Sequence, residues 1–212
     1  MMIFGEAPVV EQEKYIIPDL VDLTKDYKKT MKSEHEIDFD GRFYAAKYPV
    51  THNEWGLFCA DNEQALPDDN GFGRGKLPVA NIRDIDIINY VNWLNSVAKV
   101  GDVEPEHKHA DLTFADYNES LGLPRDVYKI IEDRVYETDP NTKGFRIPLV
   151  RDWEFMKGDA EEQEKEFGIT KVGWILENSG GKPQIPGQLM PNCHGLYDIL
   201  GNLLEICVDY GE

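Results

Sequence analysis

The stretch from Gln188 to Asp209, QLMPNCHGLYDILGNLLEICVD, constrains the fold more than any other part of the chain. Pro191-Asn192 followed by Gly195 is turn chemistry. Leu196 to Leu200 is a short apolar run with Asp198 inside it. Gly201-Asn202 reverses the chain, and Leu203 to Val208 reads as a second apolar segment carrying Glu205. A carboxylate on each side of a tight turn, with nearby backbone carbonyls, is a ligand set that suits a hard cation such as Ca2+. A buried loop whose acids accept backbone N–H groups would have the same spacing.

Further along the chain the signals are those of a mixed α+β domain. Arg42 to Val50 reads as a strand entering it. Thr51-x-x-Glu54 is a capping box, and the helix it opens places Trp55, Phe58 and Cys59 on one core-facing stripe. Asp84 to Val97 is the strongest helix: Ile87, Ile88, Val91, Leu94 and Val97 recur at three and four, and Asp84 and Asp86 suit the positive end of its dipole. Between them, Gly71, Gly73 and Gly75 lie in a turn-rich loop whose spacing is wrong for a phosphate-binding loop. His107 and His109 are too few to select a metal, because a closed site needs four ligands. Asp126 to Val135 has helical spacing at Val127, Ile130, Ile131 and Arg134. Asp159 to Glu166 is a solvated acidic run. Residues 1–40 read as an N-terminal arm, with a short strand at Tyr15 to Pro18 and a charged helix or loop over Lys25 to His35. Residues 41–212 read as the domain, with an insertion over 99–143.

The pattern Asn192-x-x-Gly195-Leu196-Tyr197-Asp198-x-x-Gly201-Asn202-x-x-Glu205 resembles the signature of the formylglycine-generating enzyme, or sulfatase-modifying factor, family. Three more segments match in the family's order. They are Tyr48-Pro49-Val50-Thr51 with Glu54-Trp55; Leu77-Pro78-Val79 leading to Tyr90, Trp93 and Leu94; and Gly144 to Pro148 leading to Trp153-Glu154. The resemblance covers Phe43 to Asp209 and implies a C-type-lectin-like fold. It also implies a calcium site from the side chains of Asp198 and Glu205 and the carbonyls of Gly201 and Leu203. Departures are as informative. Leu149-Val150 replaces the family's Thr-Glu cap, so the helix after Pro148 is expected to begin later and less firmly. Leu204 and Ile206 stand where the family has tryptophans beside its glutamate.

A net charge of -18 disfavours nucleic acid and anionic membrane as partners. No secretory signal and no apolar run long enough to cross a bilayer are visible, which reads as cytoplasmic synthesis, with a virion component equally compatible. Cys59, Cys193 and Cys207 are no disulfide framework, and each is expected as a small core hydrophobe.

The family's enzymes use copper and two cysteines that follow the Gly-Asn-x-x-Glu motif. This chain reaches Glu212 before either, so the resemblance implies no copper oxidase here as written, and a C-terminally incomplete fold with an exposed edge prone to association. The leading expectation is a non-catalytic scaffold that binds a protein or glycan ligand, as in the related variable proteins of phages and retroelements. The alternative is the N-terminal part of an oxidase acting on sulfatase cysteine.

Overall fold

The computed structural model describes residues 3–4, 18–35, 39, 41–98, 128–131, 134–137 and 144–210. Regular structure is short and scattered. In chain order the elements are β1 (Ile3–Phe4), β2 (Leu20–Asp22), α1 (Thr24–Glu34), β3 (Tyr44–Ala46), α2 (His52–Asp61), α3 (Asp84–Ala98), β4 (Tyr128–Ile131), β5 (Arg134–Glu137) and β6 (Phe145–Arg146). They continue with α4 (Val150–Lys157), α5 (Ala160–Phe167), α6 (Ile169–Val172), β7 (Gly173–Trp174), α7 (Leu176–Ser179), β8 (Leu200–Gly201) and β9 (Asp209–Tyr210).

An antiparallel sheet in the order β2-β3-β1-β6 forms the centre. Two apolar clusters pack around it. The first gathers Trp55, Phe58 and Cys59 from α2 with Ile88, Tyr90, Val91 and Leu94 from α3, closing on Phe145, Ile147 and Val208. Trp55 and Tyr90 stack with ring centroids 4.7 Å apart, so the stripes read from α2 and α3 meet each other. The second cluster joins Tyr27 and Met31 of α1 to Phe43, Phe155, Met156, Leu196 and Ile199. Tyr27 stacks on Phe43 at 3.8 Å. The segment before residue 41 thus shares both sheet and core with the residues after it.

Local chemistry explains the element starts. Thr51 caps α2 as its sequence requires: Glu54 Oε2 accepts from the Thr51 N–H at 2.7 Å, and Thr51 Oγ1 accepts from the Glu54 N–H at 3.4 Å. Burial holds the Glu54 carboxyl above its ordinary range despite those bonds from Thr51. α4 corrects an expectation. It begins at Val150, directly after Leu149, although Leu149 has no side-chain acceptor. Asp152 supplies what the lost Thr-Glu pair would have, since its Oδ2 accepts from the Leu149 N–H at 2.9 Å.

The segment expected as a helix over Asp126 to Val135 is a second correction. Tyr128–Ile131 and Arg134–Glu137 are antiparallel strands, with Ile130 opposite Val135 and Ile131 opposite Arg134. Four residues at helical spacing within so short a window do not exclude two strands, and Ile130, Ile131, Val135, Tyr128 and Tyr136 are β-formers. β5 also pairs in parallel with β9. The Tyr15 to Ile17 strand and the His107/His109 pair lie outside the described residues; Leu20–Asp22 is the strand seen nearest the first. Lys25 to His35 resolves as helix α1, and the acidic run as helix α5.

Asp152 ties three parts of the chain together while fully buried. Arg146 Nη1 of β6 donates to Asp152 Oδ2 at 2.7 Å, and the Tyr27 hydroxyl of α1 donates to Oδ1. Burial first, then the Asp152 charge, pushes the Tyr27 phenol well above its ordinary value, so it stays a donor. Asp152→Ala would take from the buried Arg146 guanidinium its bond to Oδ2 and from the Leu149 N–H its acceptor. Urea unfolding should show a loss of about 3–5 kcal/mol, against about 1–2 kcal/mol for Tyr27→Phe.

Candidate functional site

The Asn192-to-Glu205 segment is a chain of clasps, each made by a residue of the recognised pattern. Asn192 is buried and uses both ends of its amide. Its Oδ1 accepts from the His194 and Leu196 N–H groups at 3.0 and 3.1 Å, while Nδ2 donates to the Met156 and Lys157 carbonyls at 2.7 and 3.1 Å. The turn is thereby fixed on the last residues of α4. Tyr197 stacks on Tyr48 at 5.2 Å, with the Lys47 ammonium over both rings.

At the reversal, Gly201 and Asn202 are both left-handed, with φ of 80° and 57°. A Cβ on Gly201 would lie 2.1 Å from the Trp174 carbonyl oxygen, so no other residue fits where β8 runs beside β7. Asn202 holds the opposite side: Oδ1 accepts from the Gln184 N–H and Nδ2 donates to the Gln184 carbonyl, each at 3.0 Å.

Asp198 has only 4% of its surface exposed and a left-handed backbone, φ 58°. Its Oδ2 accepts from the Gly187 N–H at 2.7 Å, and its Oδ1 has no hydrogen-bond partner among the described residues. Burial raises the Asp198 carboxyl above its ordinary 3.8, and the neighbouring Glu205 charge raises it further, against the Gly187 bond and the nearby Asn202 amide, which lower it. Glu205 is half-buried, and its Oε2 accepts from the Trp153 indole N–H at 2.8 Å. Gly201 is exposed and Leu203 half-buried. The fold therefore brings the two expected acidic residues into electrostatic contact beside the turn that carries Gly201 and Leu203. Among the described residues no group of three or more His, Cys, Asp or Glu side chains is placed to hold a metal.

Three partners of this site were not read from the sequence. Trp153, Gln184 and Gly187 hold Glu205, Asn202 and Asp198 from 52, 18 and 11 residues away. No periodicity connects positions that far apart.

The cysteines correct another expectation. Cys59 is buried, but Cys193 is exposed and Cys207 half-buried. The Cys193 N–H donates to Asp159 Oδ1 at 2.6 Å, which fixes a turn backbone that turns the side chain outward over Gly158. Burial pushes the Cys59 and Cys193 thiols up, away from the thiolate form. Leu204 is fully exposed and Ile206 is exposed as well. They flank Glu205 at the mouth of an apolar cavity of about 120 Å³ floored by Trp55 and Tyr90.

The family model of the sulfatase-modifying factor enzyme 1-like domain matches residues 11–212. The chain belongs to this family. The Treponema denticola variable protein 1 has a similar structure, with a TM-score of 0.51 and 25% identity, over 97% of this chain and 71% of that one. The fold is thus the C-type-lectin-like one of formylglycine-generating enzymes. A chaperone protein, LppX of Paenibacillus barcinonensis, is 22% identical over 193 residues, which is 79% of this chain. The chain spans 62% of the length of that relative. Among the described residues no helix is long and apolar enough to cross a membrane.

The raised carboxyl of Asp198 gives a pH test. Its folded pKa lies above the unfolded one, so the folded chain keeps a proton that the unfolded chain has released. Its contribution to stability is therefore present below the unfolded value and is lost as pH rises through the folded value. In EDTA, the unfolding free energy of Asp198→Asn relative to wild type should rise from pH 3 to pH 7. A flat difference would show that the desolvated carboxylate costs nothing.

Proposed function

We propose that this chain is a non-catalytic, ligand-binding member of the family, with Ca2+ as a structural ion at Asp198 and Glu205. The observation that carries the first part is the state of its thiols. A copper oxidase of the formylglycine-generating kind depends on reactive cysteines, and soft thiolate is what Cu(I) requires. Here Cys59 is sealed in the α2–α3 core, and desolvation shifts the Cys59 and Cys193 thiols upward, away from the thiolate form. The names of the relatives point the same way: one is a variable protein and one a chaperone protein, neither named for a reaction. Likeness to a variable protein also supports a display scaffold of the phage or retroelement kind.

Calcium is supported by the chemistry of the donors. Asp198 Oδ1 is buried with no hydrogen-bond partner among the described residues, and a second acid stands close enough to raise its pKa. A hard cation at that point would satisfy the oxygen and cancel the repulsion. The side chains of Asp198 and Glu205 and the carbonyls of Gly201 and Leu203 would hold it. The ion would supply charge neutralisation and a fixed turn.

The ligand surface is proposed to include Leu204 and Ile206, whose exposed apolar side chains border a cavity. The same surface would let copies associate when no ligand covers it.

Incubating the protein with Cu(I), O2 and a cysteine peptide of the sulfatase type should leave the peptide mass unchanged. Conversion of cysteine to formylglycine would overturn the non-catalytic reading. Calcium at a hundredfold excess over its Kd should stabilise the fold by about 2.7 kcal/mol, seen as a rise in Tm of several degrees. Asp198→Asn should abolish the rise, and an equal rise in that variant would remove the site. In sedimentation velocity, Leu204→Ser should shift any self-association toward monomer.

A further inference from the structure

Asp152 and Trp153 are consecutive residues near the start of α4, and each makes a different attachment. Asp152 binds Arg146, Tyr27 and the Leu149 N–H inside the core. Trp153 packs its ring against the second apolar cluster and sends its indole N–H to Glu205 Oε2 at 2.8 Å. One helical turn later, the Lys157 ammonium lies 5.8 Å from the centre of that ring. Lys157 is itself held by Glu154 and Glu161, at 2.7 and 3.0 Å. The indole is thus fixed by its own surroundings before it reaches Glu205.

An indole nitrogen is a donor only. It does not compete for a cation, and it brings no charge to neutralise the carboxylate. Glu205 is therefore oriented without being cancelled. Asp198 is treated in the same way, since its Oδ2 accepts from the uncharged Gly187 N–H at 2.7 Å. A basic side chain in either place would cancel the negative charge on which a hard cation depends. Of these two neutral donors, the Gly187 N–H belongs to the backbone, whereas the indole depends on one side chain.

We infer that Trp153 is the positioning residue of the cation site, orienting Glu205 for Ca2+ through a neutral hydrogen bond. This rests on the calcium part of the reading above. Partners that orient a metal-binding side chain from outside the ligand set are worth about 10- to 100-fold in metal affinity. Through Trp153, the acidic turn is tied to the same helix that Asp152 anchors in the core.

The test begins with calorimetric titration of Ca2+ into the intact chain after stripping with EDTA. Trp153→Phe keeps an aromatic ring in the cluster and removes the N–H. It should weaken Ca2+ binding by about tenfold or more. Glu205→Gln should weaken binding too. Adding Trp153→Phe to that variant should cost less than about twofold further, because the indole acts through the carboxylate. A merely structural tryptophan would weaken both backgrounds alike. NMR of the wild type gives a second reading that needs no variant. The Trp153 indole N–H resonance should move saturably with Ca2+, at the calorimetric Kd, as Glu205 shares its charge with the ion. The Trp93 indole, which donates to Asp61 Oδ2 at 3.2 Å, should stay in place. Equal affinity of wild type and Trp153→Phe, equal losses in both backgrounds, or a Trp153 resonance indifferent to bound Ca2+ would each overturn this inference alone. A wild type that takes up no Ca2+ would overturn the calcium reading and this inference with it.

Discussion

A single buried carboxylate, Asp152, holds together parts of the chain that come from three regions of the sequence. It receives the Arg146 guanidinium from the central sheet, the Tyr27 hydroxyl from α1 and the Leu149 N–H at the start of its own helix. A carboxyl with no exposure is tolerable only when its polar atoms find partners. Those same bonds decide where α4 begins, how α1 docks and how β6 is oriented. The second apolar cluster forms around this point, with Tyr27, Phe43 and Phe155 in edge and stacked contacts. The network costs desolvation and yields a defined arrangement of short elements that have little regular structure to specify it.

The frame then carries a segment that is nearly all turn. Asn192 fastens that segment to α4, Asn202 fastens it to Gln184, and Trp153 on α4 reaches Glu205. α4 is thus both the helix anchored by Asp152 and the platform under the acidic turn. Asp198 occupies a left-handed backbone position in the middle of this arrangement, with one oxygen tied and the other without a hydrogen-bond partner among the described residues. Strained backbone and desolvated charge at one place are features of sites that bind something. The calcium proposed for the turn would sit on this rigid support, a proposal that rests on the chemistry of the donors.

Much of this was legible in the chain itself. The Thr51–Glu54 cap, the stripe on α3 and the glycine of the reversal follow from local rules, since each is settled within a few residues. The family pattern identified the fold because it lists side chains that make clasps, although spacing alone does not reveal what they clasp. Where the reading failed, the cause was equally physical. Asp126 to Val135 was too short for its periodicity to separate one helix from the two strands that form there. Leu149-Val150 lost one kind of cap, and Asp152 supplied another.

The sequence by itself determined the family, the two helices of the first cluster and the identity of the two acidic residues at the turn. Those depend on local backbone chemistry and on a long specific pattern. Only the tertiary structure decided that α1 shares the core, that Cys193 faces outward, and that Trp153, Gln184 and Gly187 hold the turn. Such contacts join residues far apart in the chain, and burial and electrostatic coupling between them exist only once the chain has closed on itself.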